Sequence, residues 1–471
     1  MRLYRYRRIA RAIEEVENGT IYFPAREELN DPVEGYVRVF WQGDKFAWEG
    51  LLKNYIYSLM KAIHLYLLAS DEKLLHKNSI NKDIYDYGNA PIVKVFEKLG
   101  TALLEESEII RIAEFYGSKN LKCTAEELKL NLRFIHNKAL TLCIESCLTE
   151  RIMPESEGRN ILNTIQNKGV NSIPIEQLTI LDNEKRMAFM HFIDSYFEDL
   201  TELQYIQMGL KKESFLYGYH SKDSNGNETN INTEDKQFRN WIAVSVDFPE
   251  IYVEQLKNII YPEGFFVCFS KHNDNTAMWG NYAESHTGVC FVYETDENNS
   301  IHFKFPNDEK INLVPKKINY EGKVIERNFF ETLGGLTSPQ IIRWLTGKGE
   351  ISNCYKTITA DMDAWRKNYW KAFEVKNYQK LKHWSYEEEY RIGISNEFSD
   401  LSDSKSRLLE YDPQNVKGII FGIRTTEYDK KRIFELLMKK KDVFKDFTFY
   451  QAEYDEMAQK IKVREKHLWK L

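Results

Sequence analysis

The sequence predicts an α+β fold, with a split, mixed or antiparallel sheet as its core and a large all-helical insertion. Strand signals are concentrated at the two ends of the chain, in residues 1–49 and 237–460. Residues 50–217 instead keep a helical period. Because neither strand-rich part is expected to close a core alone, the two should share one sheet.

Composition bounds the class of protein. The chain has 471 residues, of which 42% are hydrophobic and 14% aromatic, enough for one large domain with an insertion or for two domains. Its net charge of −6 argues against a broadly nucleic-acid-coating or polybasic membrane protein. Six cysteines without CxxC pairs indicate no zinc or disulfide framework. With no leader and no apolar stretch long enough to span a membrane, we expect a cytoplasmic protein.

The N-terminal part alternates in the manner of a strand from Leu3 to Arg7. A short helix follows and ends at Asn18-Gly19, and a second strand at 21–23 is stopped by Pro24. The pair Asn30-Asp31 precedes a proline, so these two residues serve either turn formation or a site.

At ordinary helix lengths, residues 50–217 are expected to form an insertion of four to six helices. Its expected role is to bind a partner or to self-associate. The polar, aperiodic residues 218–236 are interpreted as a flexible loop, and 461–471 as a C-terminal tail.

The central stretch, residues 264–294, predicts a strand, a polar loop, a helix and a second strand. Ser270 ends the first strand, and Trp279, Tyr282 and His286 follow the spacing of one helical face. Each of these residues alone fits an ordinary core or surface position. Together, a hydroxyl at a strand end and an aromatic and histidine face describe the wall of a ligand pocket.

An acidic segment late in the chain predicts a strand with Glu387, Glu389 and Arg391 on one face. One interpretation is an exposed strand with an arginine–glutamate pair. The other is a site, because neighbouring carboxylates raise one another's pKa and suit general-base or cation-stabilising work.

These segments resemble the bacterial domain-of-unknown-function family 2971. The resemblance covers roughly 1–40 and 238–455, and the helical insertion departs from it. The matching motifs are Tyr4-Arg5-Tyr6-Arg7, Asn30-Asp31-Pro32-Val33-Glu34, Cys268-Phe269-Ser270, Met278-Trp279 with Tyr282-Ala283, His286 and Gly288, and Trp384-Ser385-Tyr386-Glu387-Glu388-Glu389-Tyr390-Arg391.

The order of these parts also looks more loosely like that of ADP-ribosyltransferases. That resemblance implies a split-sheet cleft for NAD as the substrate, without a metal. It implies catalytic roles for Glu389, with Glu387 in support, and for His286. The residues expected to bind NAD are Arg5, Arg7, Asn30, Asp31, Ser270, Trp279, Tyr282 and Arg391.

The resulting functional expectation is a bacterial toxin or anti-phage defence protein that transfers ADP-ribose to a protein or nucleic-acid acceptor, or that hydrolyses NAD. One alternative is a nuclease effector that uses a metal or acid and base groups. Its candidate residues are Asp31, Glu34, His286, Glu387 and Glu389. The other alternative is a non-catalytic sensor whose insertion binds a partner.

Overall fold

A computed structural model describes residues 1–31, 34–68, 80–88, 90–166, 182–207, 240–395, 401, 403–444 and 446–469. The protein is a mixed α+β structure with a mixed, multistranded sheet, as the sequence predicts. The expected flexible loop at 218–236 lies outside the described residues. No helix in the described part of the chain is long and apolar enough to cross a membrane.

The chain divides into two compact units. Unit 1 comprises 1–37, 262–325 and 370–471, and unit 2 comprises 38–261 and 326–369. The helical unit therefore extends beyond the expected boundaries of 50 and 217. Residues beyond the expected boundaries pack against the helices of this unit. Trp48, which precedes residue 50, stacks on Tyr116 with ring centroids 4.7 Å apart.

The strands form an eight-stranded sheet in the order β16-β15-β14-β5-β1-β4-β12-β8 and a four-stranded sheet in the order β2-β13-β6-β7. Two further pairs are β3 with β9 and β10 with β11. The strands are β1 (Arg2–Arg7), β2 (Thr20–Tyr22), β3 (Val37–Phe40), β4 (Gly264–Ser270), β5 (Val289–Glu294), β6 (Ile301–Lys304), β7 (Lys310–Leu313), β8 (Lys316–Lys317), β9 (Ile325–Asn328), β10 (Thr346–Gly347), β11 (Glu350–Ile351), β12 (Glu389–Ser395), β13 (Leu408–Tyr411), β14 (Val416–Phe421), β15 (Thr448–Asp455) and β16 (Lys460–Glu465).

The N-terminal strand completes the large sheet from within. β1 pairs antiparallel with both β4 and β5, so a strand at the start of the chain lies between two that follow the helical segment. β2 instead joins the smaller sheet through β13. Alternating residues of β1 supply both apolar faces of the large sheet: Leu3 packs in one core cluster and Tyr6 in the other.

The helices of unit 2 pack around α2, which contacts α3, α4 and α5. Unit 1 contains α1, α9 and α13. The helices are α1 (Ile9–Asn18), α2 (Lys45–Leu68), α3 (Ala90–Glu105), α4 (Ser107–Ser118), α5 (Ala125–Thr149), α6 (Glu155–Gln166), α7 (Asn183–Gln207), α8 (Phe248–Ile260), α9 (Thr276–Tyr282), α10 (Ser338–Trp344), α11 (Asn353–Ala360), α12 (Met362–Asn377) and α13 (Glu427–Lys439).

The C-terminal residues differ from the expected tail. Lys460–Glu465 forms β16, which pairs antiparallel with β15. Buried and exposed side chains alternate here, with Ile461 buried in a core cluster between exposed lysines, and this alternation is the pattern of a strand.

Two local predictions near the candidate site also differ from the structure. The helix expected to carry His286 ends at Tyr282, because Glu284, Ser285 and His286 take left-handed φ values of 50°, 53° and 72°. The acidic strand begins only at Glu389, because the residue before it has a φ of 39° and follows a short 3₁₀ helix.

Candidate active site

A cavity of about 260 Å³ lies against the large sheet of unit 1. Its walls come from β1, β4 and β12, from residues within 24–30, from Glu34, from α9, and from Lys380 and Glu387. The lining residues include Tyr4, Tyr6, Arg7, Asn30, Glu34, Phe266, Cys268, Ser270, Tyr282, Lys380, Glu387, Glu389 and Arg391.

Strand register explains why distant residues meet here. Ser270 is the registered partner of Tyr4 on one side and of Glu389 on the other. Two residues further along the same strands, and on the same face of the sheet, Cys268 pairs with Arg391. Residues directly opposite each other in a ladder project from the same face, so three separated segments form one surface.

Beside this surface is a buried charge cluster of three carboxylates and two cations, formed by Glu34, Lys380, Glu387, Glu389 and Arg391. Each side chain is at most 4% exposed. The Lys380 Nζ lies 2.8 Å from the Glu387 carboxylate, 3.4 Å from that of Glu389 and 3.5 Å from that of Glu34. Buried charges persist only when they are paired, and here two cations are shared among three carboxylates.

The second cation fixes the orientation of one carboxylate. Arg391 donates to Glu389 Oε1 through Nε at 2.8 Å and through Nη2 at 2.6 Å. Its Nη1 pairs with Glu34 and donates to the carbonyl oxygen of Asn377. The guanidinium therefore holds Glu389 Oε1, and Lys380 Nζ lies 3.4 Å from Oε2, so both oxygens of this carboxylate have a cationic partner.

The two adjacent glutamates differ in acidity. Burial raises the pKa of the Glu387 carboxyl, and the ammonium of Lys380 only partly offsets that effect. Burial also disfavours ionisation of Glu389, but Arg391 and Lys380 hold the pKa of that carboxyl below its ordinary value. Two neighbouring carboxyl groups with pKa values moved in opposite directions are suited to different roles in one reaction.

Tyr282 connects the cluster to the cavity. Its hydroxyl donates to Glu387 Oε1 at 2.5 Å and accepts a hydrogen bond from the amide of Asn30. Burial and the charge of Glu387 raise the pKa of Tyr282, so the phenol stays protonated and remains a donor. α9 thus provides more than an aromatic ring for stacking, because it brings the Tyr282 hydroxyl into contact with the Glu387 carboxyl, whose pKa is raised.

Ser270 supports the turn that leads into the cluster. Its hydroxyl donates to the carbonyl oxygen of Glu387 at 2.8 Å and accepts from the backbone N–H of His272 at 3.2 Å. The residue is 1% exposed. The first hydrogen bond links β4 to the chain entering β12, so Ser270 positions the backbone of Glu387, and the second closes the turn after β4.

Several predicted site residues do not line the cavity. Arg5 is buried and pairs with Glu15 of α1. Trp279 is fully buried, packs edge-on against Tyr6 and donates from Nε1 to the carbonyl oxygen of Asn273. His286 stacks on Trp279 with centroids 6.4 Å apart, on the loop after the helix.

Two other predicted residues, Arg7 and Asp31, are less directly placed with respect to the cavity. Arg7 lines the cavity but donates from Nε to Glu15 Oε1 at 2.9 Å. Asp31 is buried near the site without lining it. Lys380 belongs to no recognisable motif and was therefore not predicted. Cys268 lies in the Cys268-Phe269-Ser270 motif, but its residue type and position suggested no role of its own.

The carboxylates of the cluster have cationic partners already. Among the residues that the structure describes, no group of three or more histidine, cysteine, aspartate or glutamate side chains could hold a metal ion. Glu34, Glu387 and Glu389 instead converge on the ammonium of Lys380. A divalent cation at that point would have to displace the lysine.

No protein-family model, curated protein or solved structure matches the chain.

Proposed function

We propose that the cavity of unit 1 is the active site of an enzyme that cleaves the bond between nicotinamide and ribose in NAD. The supporting observation is the pair Glu387 and Glu389, buried at one wall with pKa values moved in opposite directions. Such a pair supplies both an ionised carboxylate and a base with a raised pKa.

The size and lining of the cavity fit one end of a dinucleotide. At about 260 Å³ it is slightly smaller than the ~300–1,000 Å³ typical of complete ligand pockets. Tyr4, Tyr6 and Phe266 supply aromatic surface for a flat ring. We therefore propose that nicotinamide and its ribose enter, while the remainder of NAD stays outside.

The proposed reaction breaks the bond between ribose C1′ and the ring nitrogen. The bonding electrons leave with nicotinamide, which departs as a neutral molecule, and positive charge develops on the ribose. The ionised carboxylate of Glu389 and the surplus negative charge of the cluster stabilise that charge. A water molecule, or a hydroxyl or amine of an acceptor, then bonds to C1′, and its proton passes to Glu387.

Release of nicotinamide by the purified full-length chain tests this proposal. We expect NAD to be consumed in the presence of EDTA, and Glu387→Gln to lower the rate by about 10²–10⁴-fold, the usual contribution of a general base. The matched control is Glu388→Gln. The side chain of Glu388 is 48% exposed and pairs with His272 outside the cavity, so the control should keep the wild-type rate.

Two results would contradict the proposal: no nicotinamide release by the wild-type chain, or an unchanged rate for Glu387→Gln. Parallel incubation with RNA and DNA, with and without EDTA, separates it from the nuclease alternative. NAD labelled in its adenine ring distinguishes transfer from hydrolysis, because label on protein or nucleic acid requires an acceptor. An effector role predicts that expression of the wild-type chain, but not of Glu387→Gln, stops bacterial growth.

A further inference from the structure

A second cavity, of about 600 Å³, lies within unit 2. Lys53 and Tyr57 of α2 form one wall, and Glu97, Thr101 and Glu105 of α3 form another. The turn between β10 and β11 closes a third side with Lys348. Its volume falls within the ~300–1,000 Å³ range of small-molecule sites.

The turn that carries Lys348 has a defined shape. Lys348 and Gly349 join the two short strands and have φ values of 38° and 86°. Positive φ at both central residues is the geometry of a two-residue hairpin turn that matches the twist of its strands. The lysine is therefore presented to the cavity by a hairpin and not by a long loop.

A close approach between α2 and α3 shapes the cavity wall. A Cβ atom on Gly100 of α3 would lie 2.3 Å from the hydroxyl oxygen of Tyr57, so only glycine lets the tyrosine lie across the helix there. The Tyr57 ring also packs edge-on against Phe96, with centroids 5.7 Å apart. These contacts fix the tyrosine at the cavity wall.

Opposite charges face this cavity without forming ion pairs with one another, and the carboxylate of Glu49 interacts electrostatically with Lys53 and Lys348. Within the described part of the chain, neither Lys53, Lys348, Glu97 nor Glu105 takes part in an ion pair. Among the described residues, the carboxylate of Glu97 accepts a hydrogen bond from the hydroxyl of Tyr85, and its backbone carbonyl accepts one from Thr101. Burial lowers the pKa of the Lys53 ammonium, and Glu49 offsets this only in part. A partly desolvated cation with no carboxylate in contact is stabilised by any anion that reaches it.

We propose that this cavity binds a small zwitterion, with its carboxylate at Lys53 and Lys348 and its ammonium at Glu97 and Glu105. A ligand that carries both charges would satisfy both walls at once. A ligand with one charge would leave the other wall uncompensated. This proposed site lies in unit 2 and is independent of the activity proposed for unit 1.

Isothermal titration calorimetry on the full-length chain tests this site with glycine, γ-aminobutyrate and ε-aminocaproate as probes. We expect at least one of them to bind. Butyrate, butylamine, caproate and hexylamine, which carry one charge each, should bind at least about ten-fold more weakly than the amino acid of the same length, because each loses one charged hydrogen-bonding contact.

Substitutions then assign the binding to the cavity. Lys53→Met and Glu97→Gln should each weaken the binding of the best probe by about ten-fold. Lys348→Met should act in the same direction from an exposed turn, where folding is not at risk. Lys94→Met is the control, because it removes an equal charge from an exposed position of α3 outside the cavity. The proposal is overturned if no amino acid binds, if the singly charged analogues bind equally well, or if Lys348→Met and Glu97→Gln both bind like the wild type.

Discussion

Each unit contains a group of buried charges, and these two groups balance their charges differently. In unit 2, Arg186 Nε lies 2.7 Å from Glu127 Oε1, and the two side chains are 2% and 0% exposed. That pair matches one cation to one carboxylate within the helical core. In unit 1, three carboxylates share Lys380 and Arg391 at the wall of a cavity. A matched pair supports the fold, whereas an unmatched cluster beside a cavity retains charge for a ligand.

The Arg186–Glu127 pair predicts the largest loss of stability. Arg186→Met leaves the Glu127 carboxylate buried without its cation, so we expect the free energy of unfolding to fall by about 3–5 kcal/mol. Urea denaturation measures this change. The neighbouring Lys185→Met is the control. Its side chain is 74% exposed, and its loss should change stability by no more than about 0.5 kcal/mol. Equal effects of the two substitutions would show that the buried pair is not structural.

The buried and neutral His136 of unit 2 is expected to make the stability of the protein depend on pH. Tyr55 donates to His136 Nδ1 at 2.7 Å, and His136 Nε2 donates to the carbonyl oxygen of Val244 at 3.0 Å. Burial lowers the pKa of His136 from 6.5 to about 4. Between these values the unfolded chain binds a proton that the folded chain does not, so stability falls as the pH decreases from 6.5 to 4.

The expected contribution of His136 to that loss is about 3 kcal/mol, at roughly 1.4 kcal/mol per pH unit. The measurement is the free energy of unfolding across this range for the wild type and for His136→Gln, which should show a shallower dependence. His191→Gln, at an exposed position of α7, should keep the wild-type slope. Parallel slopes for wild type and His136→Gln would contradict the prediction.

The unmatched cluster predicts a smaller effect for its lysine. Lys380→Met removes a cation shared by three carboxylates, but Glu387 already has a raised pKa and can take up a proton instead. We therefore expect a loss of about 2 kcal/mol at neutral pH, below the ~3–5 kcal/mol of a broken matched pair. The loss should diminish as the pH falls toward 5.

Denaturation at both pH values checks this. Lys382→Met is the control, because its side chain is 76% exposed. A loss for Lys380→Met that equals that of Arg186→Met and does not depend on pH would remove the distinction between the two kinds of buried charge.

Much of the candidate site was predictable from sequence because it depends on local pattern. The alternation in β1 and the end of β4 at Ser270 placed Tyr4, Tyr6 and Ser270 correctly on strands. Tyr282, Glu387, Glu389 and Arg391 do line one cavity, although they come from separate segments. The left-handed residues after α9 carried no comparable signal, so the position of His286 was not predictable.

The sequence by itself determined most of the strands and helices around the site, although not all of their ends, and which segment carries paired acidic groups, because periodicity and residue type are local properties. Only the tertiary structure decided how the charges are matched. Lys380 follows α12 with no motif of its own, yet it lies among three carboxylates. Arg5 shares a strand with cavity-lining tyrosines, yet Glu15 of α1 takes it as a partner. Pairing of buried charges depends on which elements pack together, and that is a property of the folded chain as a whole.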